Sequence, residues 1–193
     1  MNATTTTAAT QSPSTPAQGE VPRIYVASLS DYTAGRLLGR WIDADQPAEA
    51  IHAEIRAMLA ESKEPPAEEW AIHDHEHFGG YEPREYESID TLAEVARLIG
   101  EHGGVFGGLV NYFGGDVDEA RRYMEDGYRG GWKSLTDYVE EFIDDVYGGE
   151  MKNLPDIVRF HIDYEGIAHD FELSGDIFTI ESRGLLHVFD AHI

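Results

Sequence analysis

Arg23-Ile24-Tyr25-Val26-Ala27-Ser28-Leu29 is the stretch on which the fold turns. Its β-branched and aromatic side chains favour an extended chain. Gly35 and Gly39 punctuate the connection that follows, and Arg40-Trp41-Ile42-Asp43 reads as a second strand. Pro47 suits the first turn of a helix. Ile51, Ile55, Met58 and Leu59 then recur at helical spacing until Pro65-Pro66. Glu69-Trp70-Ala71-Ile72-His73-Asp74 is a third strand. Strand, strand, helix, strand predicts an α+β unit over 20–78, a three-stranded antiparallel sheet with one helix.

Ahead of that unit, residues 1–19 are Thr, Ala, Ser, Pro and Gln with no charged side chain. This composition predicts a disordered, dispensable leader. Behind it the chain turns helical. Ser88 is placed to cap a helix carrying Ile89, Leu92, Val95, Leu98 and Ile99, stopped by Gly103-Gly104. A short apolar run, Val105 to Phe113, ends at Gly114-Gly115, and Asp116 opens another helix through Ala120 and Met124. Gly107-Gly108 reads as one more helix terminator. Ser134-Leu135-Thr136-Asp137 resembles a capping box ahead of Tyr138, Phe142 and Val146, with Gly148-Gly149 closing that helix. Pro155 opens further helix to about Leu173. Alternation in Ile177-Phe178-Thr179-Ile180 and Leu186-His187-Val188-Phe189 predicts a closing hairpin around Glu181-Ser182-Arg183-Gly184. The expectation is an elongated α+β protein of three small domains in a row. These are an N-terminal domain (20–78), a helical middle (79–125), and a C-terminal domain of helices plus hairpin (126–193).

Charge sets the functional question. The chain holds 37 Asp+Glu against 14 Lys+Arg, a formal net of -23, and the acids are interleaved with apolar residues rather than gathered in a tail. Such a pattern makes a folded body coated in negative charge, which costs stability through self-repulsion and favours cationic partners. With no cysteine there are no disulfides and no thiolate ligands or nucleophile. No apolar run reaches the roughly 20 residues of a membrane span. With no signal-peptide pattern at the N-terminus, the expected location is the cytoplasm.

Candidate chemistry is sparse. His73-Asp74-His75-Glu76-His77 places His73, His75 and His77 at alternate positions of a strand, where three imidazoles on one face would suit zinc. Asp43-Ala44-Asp45 and Asp116-Val117-Asp118-Glu119 lack the glycine and distant glutamate of an EF-hand. There is no nucleophile elbow, no phosphate loop and no basic patch for nucleic acid. This argues against an enzyme and against any cofactor, and it leaves the acids themselves as the functional groups.

Those acids fall into order. Glu68 precedes the third strand and Glu69 and Asp74 are its ends, and Glu82, Glu85, Glu87, Asp90, Glu94 and Glu101 run through the middle. Asp116, Asp118, Glu119, Glu125 and Asp126 follow. Asp137, Glu140, Glu141, Asp144 and Asp145 are spaced i, i+3, i+4, i+7 and i+8, which places them on one helix face. Duplex DNA carries one charge per roughly 1.7 Å of axis, so about 23 charges match about a dozen base pairs. An acidic stripe of that length can engage the cationic groove of a DNA-binding protein; charge alone equally fits solubility or a halophilic cytoplasm, as do the only three lysines, Lys63, Lys133 and Lys152.

The segments Ile24 to Tyr32, Gly35-Arg36-Leu37, Gly39 to Ala44, Glu68 to Asp74, Ser134 to Tyr138, Ile162-Asp163-Tyr164-Glu165 and Gly175 to Glu181 together resemble ArdA-type antirestriction proteins. The resemblance runs in order from about residue 23 to the C-terminus. It implies a non-enzymatic, dimeric mimic of DNA that occupies the DNA-binding groove of the methyltransferase core of type I restriction–modification enzymes. It also implies carriage on mobile genetic elements. The family's antirestriction motif corresponds here to Glu125 to Tyr138, which reads as a turn between two helices that packs the last domain. Tyr138, Phe142, Val146 and Tyr147 are the expected apolar dimer contact. Two other classes stay open: a metal-dependent enzyme built on the three histidines, and an acidic partner of some other DNA-binding protein.

Overall fold

The structure, a computed structural model, describes residues 21–64 and 66–193, so the leader expected over 1–19 lies outside the described residues. Strand β1 (Arg23–Ser28) is central in the first sheet, between β2 (Gly39–Asp43) and β3 (Trp70–Glu76), all antiparallel. Its central place follows from its composition: Ile24 and Val26 are fully buried, while Tyr25 on the other face packs against Trp41 at 5.5 Å between ring centroids. Helix α2 (Ala48–Leu59) covers the sheet with Ile51, Ile55 and Met58.

Two local features were not read from the sequence. The expected first strand gives way at Ser28 to a one-turn helix, α1 (Leu29–Thr33), because the Ser28 hydroxyl accepts the Asp31 N–H as a cap. The α2 helix stops at Leu59, six residues before Pro65. A turn there carries the Ser62 hydroxyl back to donate to buried Asp31. Asp31 also accepts from the Ser28 hydroxyl and faces Arg36. Its carboxyl is held below the ordinary range, first by the Ser62 hydrogen bond.

Helices α3 (Ile89–His102), α4 (Val105–Tyr112) and α5 (Val117–Arg122) follow, and α5 runs into a π-helical turn, Tyr123–Gly127. Ser88 and Gly103 bound α3 as expected, although the Ser88 side chain makes no capping hydrogen bond. Asp116 does cap α5, accepting from the Glu119 N–H. Gly107 and Gly108 are not terminators. They lie inside α4, where a Cβ at 107 would sit 1.8 Å from the Phe78 carbonyl oxygen and one at 108 would sit 2.6 Å from Ile180 Cγ2. Glycine is required there for close approach rather than for its freedom of φ.

The C-terminal part holds β4 (Tyr128–Trp132), α6 (Leu135–Met151), α7 (Asp156–Arg159), α8 (Tyr164–Ser174), β5 (Ile177–Ser182) and β6 (Leu185–Asp190). The expected hairpin is β5–β6, joined at Arg183-Gly184 with positive φ at both. The sheet has a third member: β4 pairs antiparallel with β6, giving the order β4-β6-β5. The stretch read as a turn between helices therefore contains an edge strand. Its Gly130-Gly131 pair hides it from any propensity argument, and only the waiting edge of β6 makes it extended. Helix α6 also continues through Gly148-Gly149, which do not close it.

One buried core runs from Ile24 and Ile42 of the first sheet through Leu92, Phe106 and Met124 to Phe189 of β6. A second, thinner cluster centres on Tyr138, Val139, Ala168 and Val188 and leans on half-buried Trp132, Phe142 and Phe171. Among the described residues no helix is long and apolar enough to cross a membrane.

Candidate functional surface

The acids singled out from the sequence lie at the surface, in two electrostatic settings. In the body from 21 to 127 the eight arginines all hold carboxylates: Arg23 holds Glu76, Arg36 holds Asp31 and Glu64, Arg40 holds Glu61, and Arg56 holds Glu49. Arg84 faces Glu87, Arg97 pairs with Glu101, Arg121 bridges Glu94 and Asp118, and Arg122 pairs with Glu119. Among the singled-out acids of this body, Glu68, Glu69, Asp74, Glu82, Glu85, Asp90, Asp116, Glu125 and Asp126 are exposed without an ion pair among the described residues.

Helix α6 differs. The Ser134 hydroxyl accepts the Asp137 N–H and starts the helix. From there Leu135 to Met151 contains six acids and no basic residue. Asp137, Glu140, Glu141, Asp144 and Asp145 are all exposed. None has a cationic group within ion-pair distance among the described residues. The opposite side of the helix buries Tyr138 and Val139 against Trp132, Ala168 and Phe171. Like charges three or four residues apart cost an isolated helix a few tenths of a kcal/mol per pair, so burial of that opposite side must hold α6 in place. The acidic surface extends past the stretch singled out, through Glu150, Asp163, Glu165, Asp170, Glu172 and Asp176, all exposed. Continuing the count of acids past Asp145 to the start of β5 would have found them.

The expected dimer contact is split by burial. Tyr138 is core and Phe142 is half-buried against Phe171, while Val146 and Tyr147 are 53% and 51% exposed. Farther along the chain, Ile157, Phe160 and Leu173 are more exposed still, at 71%, 73% and 72%.

The three histidines do not converge. A β-bulge sets Tyr25 opposite Asp74 and Val26 opposite Ile72, so His73 drops out of the alternation. The His73 ring meets Tyr32 edge-on at 5.2 Å, whereas His75 meets Phe78 at 6.0 Å. His77 lies beyond the strand at φ 65, 3.8 Å from Glu76. Among the described residues no group of three or more His, Asp or Glu side chains is placed to hold a metal ion.

Within the second sheet, buried His187 shares a 2.8 Å hydrogen bond between its Nδ1 and the Tyr128 hydroxyl. Burial lowers the imidazole pKa and raises that of the Tyr128 phenol. At the end of β6, Arg129 holds Asp190 at 2.8 Å and lowers its pKa.

Fold and surface together define an acidic α+β protein that displays carboxylates on helix faces. The ArdA antirestriction protein family model matches residues 24–184, and the chain belongs to that family. A comparison with curated proteins found no match. Membership assigns antirestriction as the general function and accords with the resemblance carried by Ile24 to Tyr32, Glu68 to Asp74 and Ser134 to Tyr138.

Proposed function

We propose that this chain blocks a type I restriction–modification enzyme as a mimic of duplex DNA, occupying the DNA-binding groove of its methyltransferase core. The observation that carries the reading is α6, with five exposed carboxylates on one face and, among the described residues, no cation within ion-pair distance of them. A helix rises 1.5 Å per residue, so Asp137 to Asp145 covers about 12 Å. Duplex DNA presents about seven phosphates over that length. Five side-chain carboxylates are the same order of charge density, fixed by a folded backbone. Lysines and arginines that line a DNA groove meet prearranged anions without displacing a full counterion atmosphere. Occupancy needs no catalytic group and no cofactor, and it inhibits restriction and modification alike because both use the groove.

The mimic acts in the cytoplasm as a homodimer with a long axis, since one monomer matches only part of a bipartite DNA site. Two such anions repel, so an apolar contact must join them. Val146 and Tyr147 of α6 are the exposed side chains suited to it, with Tyr138 and Phe142 as the support beneath. A pull-down against a purified type I methyltransferase, with and without competing duplex DNA, tests the reading. DNA should displace the protein in proportion to its own affinity. Simultaneous binding of both sinks the mimic. Sedimentation equilibrium that finds only monomer at micromolar concentration removes the dimer.

A further inference from the structure

Strand β4 is an edge strand with little of its own to keep it extended. It pairs with β6 through Tyr128↔Phe189, Gly130↔Val188, Gly131↔His187 and Trp132↔Leu186, with a bulge between Tyr128 and Gly130. Buried His187, on the central strand, supplies what the glycines lack. Its ring lies over Gly131, where a Cβ would come 3.1 Å from His187 Cε1. It also stacks on Tyr128, at 5.8 Å between centroids and 26° between planes. Nδ1 shares the 2.8 Å hydrogen bond with the Tyr128 hydroxyl, and the ring's second partner is the Ser182 backbone on β5. A neutral ring serves both: Nδ1 accepts from the hydroxyl, and the other nitrogen donates to the Ser182 carbonyl.

We propose that His187 is a positioning residue for the acidic helix, a latch that holds β4 on β6 while neutral and releases β4 when protonated. Protonation turns Nδ1 into a donor, so the Tyr128 hydroxyl must accept and its own proton loses its partner, while the ring's charge sits buried. The Ser182 carbonyl holds the imidazolium better than the neutral ring, so the ring stays with the β5–β6 hairpin. The edge strand β4 is then the part that leaves and admits water. The surroundings supply no carboxylate to offset the charge. On β5 the residues sharing the ring's face are Phe178, Ile180 and Ser182, none ionisable. Helix α4 reaches that face at Gly108, against Ile180, and its one ionisable residue is Tyr112. On β4, Arg129 is held by Asp190. The π-helical turn packed on β6 brings Glu125 and Asp126, both exposed, and Tyr123, whose hydroxyl donates to the Ala191 carbonyl. Helix α6 meets the opposite face of β6, at Val188. Ser134, the cap of α6, follows just beyond β4, and Trp132 packs on Tyr138 of that helix. Release of β4 therefore loosens the first turn of α6 and the acids it carries. An effect on binding rests on the reading of α6 as the binding face; the latch itself does not.

Amide hydrogen exchange of the full chain, followed by NMR and corrected for intrinsic rates, is the test. Between about pH 7.5 and about pH 5.5 ordinary carboxylates stay ionised, so α6 keeps its charge. In the opened strand His187 regains the ordinary value of 6.5, so opening binds a proton and is favoured as pH falls. The β4 amides bonded to β6 should lose protection by up to about tenfold over that range. The Asp137 amide, held by the Ser134 hydroxyl, should follow them. Low urea should leave these rates alone while speeding the β1 amides, which exchange through global unfolding. His187→Gln, which retains the chain's other histidines, should abolish the pH dependence of β4. Tyr128→Phe keeps the stacking and removes the hydroxyl, so β4 should be less protected already at neutral pH and respond less to acid. Protection of β4 that ignores pH, or that keeps its pH dependence in His187→Gln, overturns the proposal. So does β4 exchange that follows urea in step with β1. Binding to a purified type I methyltransferase is measured alongside, and the wild type should lose more affinity on acidification than His187→Gln. Equal losses, with β4 opening as described, uphold the latch and tell against α6 as the binding face.

Discussion

The body from 21 to 127 and the helical layer from 135 to 176 use the same residue types to opposite ends. The body holds twenty-two acids and nine bases, and every one of its arginines is engaged by a carboxylate. The layer holds twelve acids and two bases in fewer than half as many residues, and among the described residues no cation lies within ion-pair distance of the acid face of α6. Burial follows the same division. The body's core includes Ile24, Ile51, Ile55, Leu92 and Phe106 with essentially no exposure, while the layer leaves Val146, Tyr147, Ile157, Phe160 and Leu173 half or more exposed. Ion pairs on a surface are worth little individually, so the body's arginines do more to neutralise its field than to stabilise it. The lesson is that net charge does not say where a protein presents charge. Paired acids are surface chemistry of the fold, and unpaired acids on a thinly supported helix are available to a partner.

The difference in packing gives the largest expected effect. Phe106 is fully buried in α4, stacks on His102 at 5.6 Å and belongs to the core that joins the first sheet to β6. Phe106→Ala should cost about 3–5 kcal/mol in urea unfolding. Tyr147→Ala, on the exposed side of α6, should change stability by no more than about 0.5 kcal/mol. Equal costs at the two positions would erase the distinction between body and layer.

Helical glycines sharpen it next. Replacing a mid-helix glycine by alanine gains up to about 1 kcal/mol when space is free. Gly149 has nothing within 4 Å of a Cβ, so Gly149→Ala should stabilise by that amount. At Gly107 the added carbon meets the Phe78 carbonyl oxygen, a backbone atom that cannot rotate away. The propensity gain is overwhelmed, and Gly107→Ala should destabilise by about 1–3 kcal/mol. Thermal unfolding of both variants checks the opposite signs.

These glycines also show what the sequence could disclose. Period-two and period-3.6 patterns are local, so β1, α2, α3 and the closing hairpin were legible, as were the Asp116 and Ser134 caps. Gly107-Gly108 as a packing seam was not, because the reason lies in Phe78 and Ile180, far along the chain. Strand β4 was hidden for the same reason: Tyr128-Arg129-Gly130-Gly131-Trp132 has no alternation, and its extended form comes from pairing with β6 more than fifty residues later. Of the candidate surface, spacing alone placed the five α6 acids together. It could not separate them from Glu94, Glu101 or Glu119, whose arginine partners appear only once α3 and α5 are folded.

Removing the α6 charge tests the comparison on binding. Asp137→Asn, Glu140→Gln, Glu141→Gln, Asp144→Asn and Asp145→Asn together should weaken binding to a methyltransferase about tenfold. The same variant should gain about 1 kcal/mol of stability, since several like-charge pairs at i, i+3 and i, i+4 disappear. Loss of binding together with loss of stability would mean that these carboxylates serve the fold.

A milder effect is expected from His187. Its folded-state pKa is lowered, chiefly by burial, so below the ordinary imidazole value of 6.5 the unfolded chain binds more protons than the folded one. Stability contributed by the neutral ring is complete above that value and is lost as pH falls below it toward the lowered folded value. Urea midpoints followed over that window should decline, and His187→Gln should flatten the decline. An unchanged slope in the variant would place the titration elsewhere.

The smallest effect is the one that separates a distributed mimic from a discrete site. Asp144 is exposed, has no ion-pair partner among the described residues, and carries one of many similar charges. Exposed charges contribute roughly 0–1 kcal/mol each. Asp144→Asn should therefore weaken methyltransferase binding by no more than about fivefold and leave the unfolding midpoint nearly unchanged. Glu85→Gln, on the body, should do no more. Both follow from treating each carboxylate as one term in a summed field that salt screens. The binding of wild type and variant should thus converge as ionic strength rises. If Asp144→Asn alone abolished inhibition with the fold intact, the charges of α6 would not be interchangeable. The layer would then act through a defined contact, and its acid density would be incidental to it.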